Sequence, residues 1–209
     1  MSETSSVKEA SLSSAPMSRR DAILAAALEH LTTRGYAATS IEDIRRLSGT
    51  SVGSIYHHFG GKEAIAAALY VEGIRSYQAG GLAVLAGADS AQAGIRAIVT
   101  YHLRWIVDHR ALAQFLLHHG EPEVSALAAE PLRALNENYR EQVKSWLDRV
   151  GADKTLRPIP YDVYAALVVG PAQELARRWI AGVTDIDIDT AAGLLADAAW
   201  RALRAEANP

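Results

Sequence analysis

Cysteine is absent from this chain of 209 residues, and its absence excludes several kinds of chemistry. Without a thiol there is no disulfide framework, no thiolate-ligated zinc site and no cysteine nucleophile. Long hydrophobic runs are also missing, so no membrane-spanning helix is predicted. Residues 1–17 are polar and rich in serine, which does not fit a signal peptide and predicts a disordered tail. We therefore expect a soluble, cytoplasmic protein.

Neither positive nor negative charge dominates the composition, but the charges are unevenly distributed along the sequence. The net charge is −3, with 49% apolar and 22% charged residues, which is typical of a globular protein. Residues 17–62 contain six basic and four acidic side chains, whereas residues 80–209 contain thirteen basic and sixteen acidic ones. A polyanionic partner would therefore bind to the N-terminal segment, residues 17–62.

Patterns that would indicate catalysis or metal binding are not found. There is no glycine-rich phosphate loop, nucleophile elbow or informative carboxylate pair, so we do not expect an enzyme or a cofactor. The histidine pairs at 57–58 and 118–119 point about 100° apart on a helix and cannot readily share one ion. The acidic run at 185–189 departs from a calcium loop at Thr190 and Ala196. No metal site is predicted, and the acidic run is better explained as the start of the last helix.

Apolar residues recur at helical spacing along most of the chain, with no internal repeat and no convincing strand. The predicted helices cover residues 23–35, 41–48, 52–59, 62–77, 92–108, 111–119, 131–150, 161–181 and 190–205. The pair Gly170-Pro171 is expected to kink or interrupt the eighth helix. The prediction is an all-α protein of about nine helices.

The most informative stretch is GTSVGSIYHHFGGKEA, residues 49–64. A short helix ending at Gly49, followed by a second short helix that Ser51 can cap, is typical of a helix-turn-helix. Gly53 would let the backbone approach a phosphate closely, and the polar and aromatic groups that follow can contact phosphates or base edges. Lys62 opens the next helix, where its ammonium and the free backbone N–H groups could hold a phosphate.

The longer run TSIEDIRRLSGTSVGSIYHHFGGKEA resembles the DNA-binding domain of the tetracycline-repressor (TetR) family over residues 18–71. This resemblance implies a homodimer with a helix-turn-helix domain at 18–62 and a helical ligand-binding and dimerisation domain at 63–209. Two residues depart from the common pattern: Glu42 replaces a frequent arginine, and Val52 replaces a polar residue. The predicted DNA-binding residues are Ser40, Arg46, Thr50, Ser51, Gly53, Ser54, Tyr56, His57 and Lys62.

Candidate ligand contacts in the second domain are aromatic and polar side chains among apolar helices. For each one alone, a role in the core is the commoner alternative. As a set they predict a mostly apolar effector with one or two hydrogen-bonding points, and no basic residue stands out as a partner for an anion. These residues are Tyr101, His102, Trp105, Phe115, His118, Trp146, Tyr164 and Gln173.

The last two helices carry wide apolar and alanine-rich faces, which favour a four-helix bundle across a two-fold axis. The function implied by the resemblance is a repressor that binds palindromic operator DNA and is released by a small molecule. Two alternatives remain open. One is a helical dimeric carrier or scaffold that no longer reads DNA, and the other is an activator or a regulator that responds to a protein partner.

Overall fold

The computed structural model describes residues 17–118, 121–152 and 154–205. These residues form nine α-helices, and apart from one isolated bridge between Leu156 and Arg204 they contain no β-structure. The predicted tail, except for Met17, lies outside them. The helices are α1 (Arg19–Arg34), α2 (Ile41–Ser48), α3 (Val52–His58), α4 (Lys62–Ala86), α5 (Ala91–Asp108), α6 (Arg110–His118), α7 (Pro122–Val150), α8 (Tyr161–Ile180) and α9 (Ile188–Leu203). Within this part of the chain, no helix is both long enough and apolar enough to span a bilayer.

The first three helices each begin at a serine whose hydroxyl oxygen accepts a backbone N–H bond. Ser18, Ser40 and Ser51 are the N-caps, and Ser40 forms a reciprocal capping box with Asp43. Such caps contribute about 1 kcal/mol each. The helix α2 ends at Gly49, whose φ of 65° lies in the left-handed region that glycine adopts without strain. Local sequence therefore sets the boundaries of the helix-turn-helix.

The acidic run before α9 is a helix start, as the sequence predicted. The Asp187 carboxylate accepts the backbone N–H of Thr190 at 2.8 Å and also accepts the Thr190 hydroxyl. These hydrogen bonds lower the pKa of Asp187. Asp189 follows in the first turn, where the helix dipole favours negative charge.

Besides α1, which begins at Arg19 instead of residue 23, three helices differ from the sequence prediction. The helix α4 continues past residue 77 to Ala86, and α7 begins at Pro122, where a proline costs no hydrogen bond, instead of at Pro131. The stretch before Pro131 remains helical because Val124 and Ala128 are fully buried against the N-terminal helices, which offsets the hydrogen bond that Pro131 removes. The helix α8 runs through Pro171 without interruption.

Two main hydrophobic clusters divide the molecule. The N-terminal core surrounds Ile23, Ile44, Ile55 and Ile65, which are completely buried, and it extends along α4 as far as Val71. It also includes Phe115 from α6 and residues near the start of α7. The C-terminal core is built from the end of α4 together with α5, α7, α8 and α9. The first part of α4 thus packs with the helix-turn-helix, although the sequence assigned it to the second domain.

Two glycines allow aromatic rings to lie directly on helix backbones in the C-terminal core. A Cβ at Gly94 of α5 would lie 2.0 Å from Cζ2 of Trp146, and a Cβ at Gly80 of α4 would lie 2.2 Å from the hydroxyl oxygen of Tyr101. Both distances are far below van der Waals contact. The packing of α7 on α5 and of α5 on α4 therefore depends on these two positions.

We predict that Gly94→Ala destabilises the protein although alanine is the better helix former. Moving the buried indole should cost about 1–3 kcal/mol. At about 2–4 °C per kcal/mol, this lowers Tm by several degrees in a thermal unfolding experiment. Gly53→Ala is the matched control, since a Cβ there comes no closer than 3.9 Å to another group. Equal Tm values for the two variants would contradict the packing described here.

Candidate functional sites

The helices α2 and α3 form a helix-turn-helix on the N-terminal core. Ile44 of α2 and Ile55 of α3 are completely buried and fix the inner faces of the two helices. In the turn between them, the hydroxyl oxygens of Ser48 and Thr50 are 2.7 Å apart and share a hydrogen bond. A short, rigid second helix therefore projects from the surface.

The outer face of α3 is exposed and carries groups suited to DNA. The Tyr56 side chain is 52% exposed and that of Val52 is 41% exposed, so both can contact a partner molecule. Gly53 and His57 are also exposed. Of the nine predicted DNA-binding residues, Ser40, Arg46, Ser51, Gly53, Tyr56 and His57 are exposed, and Thr50, Ser54 and Lys62 are half-buried.

The charges of α2 are divided between a paired and an unpaired arginine. Arg45 donates two hydrogen bonds of 2.7 Å to the Glu42 carboxylate, and these bonds lower the pKa of that carboxyl. Arg46 is exposed and makes no ion pair with any residue that the structure describes. The acidic residue at position 42 therefore engages one cation and leaves Arg46 available to a phosphate.

Lys62 links the start of α4 to the turn between α1 and α2. Its ammonium donates to the Tyr36 carbonyl at 3.0 Å and lies 4.2 Å from the centre of the Tyr36 ring. The Tyr36 hydroxyl in turn donates to Glu63 at 3.1 Å. Burial, and then this carboxylate, raises the pKa of Tyr36 to about 12. The lysine is thus held at the base of the helix-turn-helix, with two of its three N–H donors not used by Tyr36.

The N-terminus of α4 has no side-chain cap, unlike those of α1, α2 and α3. Its N-cap is Gly61, and no side chain accepts from the first-turn N–H groups. An anion can bind to such N–H groups, helped by the helix dipole and by an adjacent cation such as Lys62. The geometry therefore suits the phosphate contact predicted from the sequence.

A cavity of about 190 Å³ that is partly open to solvent, which we call the His102 cavity, lies between α4, α5, α6 and α8. Three of the predicted ligand residues, His102, Trp105 and Gln173, line it. The other lining residues are Tyr70, Ile74, Tyr77, Ile106, Ala113, Leu116 and Leu117. The cavity is thus mostly apolar, with a few polar groups in its lining.

His102 is 4% exposed, and its two ring nitrogens have different environments. Its Nδ1 is 2.8 Å from the Tyr77 hydroxyl, whereas its Nε2 meets no hydrogen-bond partner within the described residues. Burial lowers the pKa of His102 to about 4; Gln173 approaches the ring and opposes this shift without satisfying Nε2. Tyr101 does not line the cavity; its hydroxyl donates to the Tyr77 backbone carbonyl at 2.8 Å.

A second, smaller cavity of about 80 Å³ lies between α5, α7 and α8, and we call it the Trp146 cavity. Two further predicted ligand residues, Trp146 and Tyr164, line it, and Nε1 of Trp146 has no partner among the described residues. An open groove of about 830 Å³ lies beside it and includes Lys144, Lys154 and Arg157. Sequence analysis did not find this groove, whose lining lies almost entirely within residues 144–164 and also includes Asp148.

The predicted ligand residues therefore do not come together in a single site. Phe115 belongs to the N-terminal core and lies away from both cavities' lining. Nothing is described of the His118 side chain. Sequence periodicity could place all of these residues on inner helix faces, but it could not divide them among separate spaces.

The helix α6 connects the two cores, and sequence analysis missed this role. Leu112 and Leu116 pack against both the N-terminal and the C-terminal core, and Leu116 also lines the His102 cavity. Both leucines lie close to Gly73 of α4, where an added Cβ would be 3.0 Å from Leu112. A change of volume in the cavity would therefore press on groups that contact the helix-turn-helix domain.

The fold and its exposed surface define a class: an all-helical protein with an N-terminal helix-turn-helix domain and a second helical domain. Residues 23–69 match the family of bacterial regulatory proteins known as the tetR family. The family resemblance predicted from the sequence is therefore confirmed for residues 23–69.

Similarity to individual proteins covers a short segment in sequence but most of the chain in structure. The transcriptional repressor KstR2 of Mycolicibacterium smegmatis is 46% identical over 50 residues, which are 24% of each chain, so the chain spans about a quarter of this curated relative. The solved structure of a TetR family regulator from Marinobacter aquaeolei has a TM-score of 0.71 at 20% identity, covering 90% of this chain and 96% of that one. FadR of Bacillus subtilis, solved in complex with stearoyl-CoA, has a TM-score of 0.71 at 18% identity, covering 85% and 96%. The solved structures extend the shared fold to the second domain.

We predict that Lys62→Ala weakens DNA binding by a similar factor for all sequences. It should make the dependence of log affinity on log salt shallower by about one unit, because one phosphate contact is lost. The measurement is the affinity for a DNA duplex at several salt concentrations. Lys62→Arg retains the cation and should retain the slope, whereas an unchanged slope in Lys62→Ala would refute the phosphate contact.

Proposed function

We propose that this protein is a ligand-responsive transcriptional regulator that binds operator DNA and acts as a repressor. The observation that carries this proposal is the exposed outer face of α3, with Tyr56, Gly53 and His57, within a segment that matches the tetR family. A large exposed tyrosine on a short, rigid helix is explained if the helix enters a major groove. The similarity to the repressor KstR2 over 50 residues favours repression.

A homodimer would present two such helices to one palindromic site. The helices α8 and α9 expose apolar side chains, including Val163 at 43%, Leu167 at 37% and Leu194 at 62%. Pairing these faces across a two-fold axis would bury them in a four-helix bundle. The two α3 helices would then need a separation of about 34 to 36 Å to enter successive major grooves.

The effector site in this proposal is the His102 cavity. It is the cavity whose lining includes Leu116, which also packs in the N-terminal core. Its apolar walls and few polar groups suit a mostly apolar molecule. FadR of Bacillus subtilis, which shares the fold, was solved with stearoyl-CoA, so a protein of this architecture can bind a small molecule.

DNA release would follow from coupling between the two sites. An effector that binds better when α4 and α6 are displaced must weaken DNA binding by the same coupling free energy. Couplings of this kind are about 1–3 kcal/mol, so operator affinity should fall about 5- to 150-fold at saturation. The measurement is operator affinity with and without a compound that has been shown to bind. Identical affinities would remove the coupling from the proposal.

The first experiment is a selection of DNA from a random-sequence pool by the purified protein at two salt concentrations. We expect an enriched palindrome, because specific binding exceeds nonspecific binding by a factor of about 10³ or more. Tyr56→Ala should abolish or weaken the enrichment. Leu127→Ala, which truncates a 53% exposed side chain on α7, is the control and should leave it unchanged.

The opposite result has a definite meaning. A folded dimer that enriches no sequence, with or without effector, would contradict DNA reading and favour the helical carrier or scaffold. Enrichment that persists equally in Tyr56→Ala would contradict the assignment of the α3 face as the reading surface.

A further inference from the structure

The His102 cavity contains a buried nitrogen whose hydrogen-bonding capacity is unused. His102 is 4% exposed, and its Nε2 meets no partner in the described ranges 17–118, 121–152 and 154–205. Buried polar atoms are almost always hydrogen-bonded, and an unpaired one destabilises the fold unless something binds it. Gln173 lines the same cavity and comes close enough to the ring to oppose the lowering of the His102 pKa, although it does not satisfy Nε2. With Tyr70 and Tyr77, these side chains place a few polar groups in a mostly apolar space.

The other ring nitrogen is already engaged, which determines what Nε2 can bind. Nδ1 shares a hydrogen bond of 2.8 Å with the Tyr77 hydroxyl. Burial keeps the imidazole neutral at physiological pH, since it lowers the pKa of His102 to about 4. A neutral ring offers either one donor or one acceptor at Nε2, depending on its tautomer. It offers no full charge to an ionic ligand.

The remaining walls give no support to an ion. Among the described lining residues there is no Lys, Arg, Asp or Glu. Transfer of an unpaired charge into such a site is strongly unfavourable. The basic side chains Lys144, Lys154 and Arg157 line a different space, the groove beside the Trp146 cavity.

The size and shape of the cavity suit one ring. Its volume of about 190 Å³ is larger than the cavity of about 150 Å³ that is known to hold benzene. Trp105 lines the cavity and meets the Tyr77 ring edge to face, with ring centres 5.3 Å apart. The Trp146 cavity, at about 80 Å³, is too small for the same ring.

We propose that the His102 cavity selects an uncharged, ring-sized molecule with one hydroxyl or carbonyl group, which hydrogen-bonds to Nε2 of His102 beside Gln173. This inference rests on the proposed function, since it names the class of effector. It also distinguishes this chain from regulators of the same fold that bind anionic ligands, because no described residue of the cavity can neutralise an anion.

Four matched probes test the proposal: benzyl alcohol, toluene, benzoate and benzylammonium. They share one ring and differ in the polar group, and their dissociation constants can be measured by NMR titration of the full chain. Benzyl alcohol should bind about tenfold more tightly than toluene, because it satisfies one buried polar atom. Both ions should bind more weakly than benzyl alcohol by at least the same factor. The ¹⁵N shift of His102 Nε2 should change with benzyl alcohol and not with toluene.

Two variants locate the polar contact. His102→Asn keeps a group near the position of Nδ1 for Tyr77 but removes Nε2, so it should abolish the preference for benzyl alcohol over toluene. Gln173→Leu is the second variant, to be used if His102→Asn does not fold. It leaves the contact between His102 and Tyr77 intact and should reduce the preference for benzyl alcohol over toluene. Tyr164→Phe is the control, since Tyr164 lines the other cavity and should not alter it.

Three results would overturn the proposal. These are equal affinities for toluene and benzyl alcohol in the unmodified protein, tighter binding of benzoate than of benzyl alcohol, and an unchanged preference in folded His102→Asn. Because the DNA selection described above uses the protein alone, these failures would leave DNA binding standing. Failure of the DNA selection would leave the probe affinities interpretable as those of a carrier.

Discussion

The structure depends on one packing constraint, which is that α4 must bury its two ends in two different cores. Ile65, Ala66 and Leu69 lie in the N-terminal core, and Leu85 lies in the C-terminal core. A helix in this position needs apolar residues on several faces, and the alanine- and glycine-rich sequence of α4 meets that need with small side chains. The small residues also allow neighbouring helices to approach closely, as Tyr101 does at Gly80. Any signal between the two proposed sites would therefore pass through a well-packed element.

The N-terminal domain could be predicted from sequence because its boundaries are set locally. Serine caps, Gly49 at the end of α2 and the apolar spacing of short helices are all readable within a few residues. The second domain was less predictable, since its boundaries depend on distant contacts. Pro131 looks like a helix start, but the burial of Val124 and Ala128 extends α7 to Pro122. Tertiary packing here overrides a local signal.

The candidate ligand residues also show that local sequence patterns do not determine which tertiary contacts a side chain makes. His102, Trp105 and Gln173 come together, whereas Trp146 and Tyr164 line a separate space. Phe115 has the periodicity of a pocket residue, but it packs in the N-terminal core and lines a separate space of about 370 Å³ beside Tyr36. Periodicity identifies an inward face, and only the three-dimensional arrangement decides which interior that face meets. The same applies to Leu116, whose double role depends on contacts with both cores.

Because Lys62 contacts Tyr36, a tilt of α4 would move the proposed DNA-binding domain with it. This contact fastens the turn after α1 to the first residue of α4, so the N-terminal domain and the base of α4 are joined directly. With 25 residues, α4 is about 37 Å long at 1.5 Å per residue. A tilt of about 5° around one end would displace the other by about 3 Å. A displacement of that size is comparable to the length of a hydrogen bond, so in the proposed dimer a small change at the far end of α4 would be enough to misplace both α3 helices.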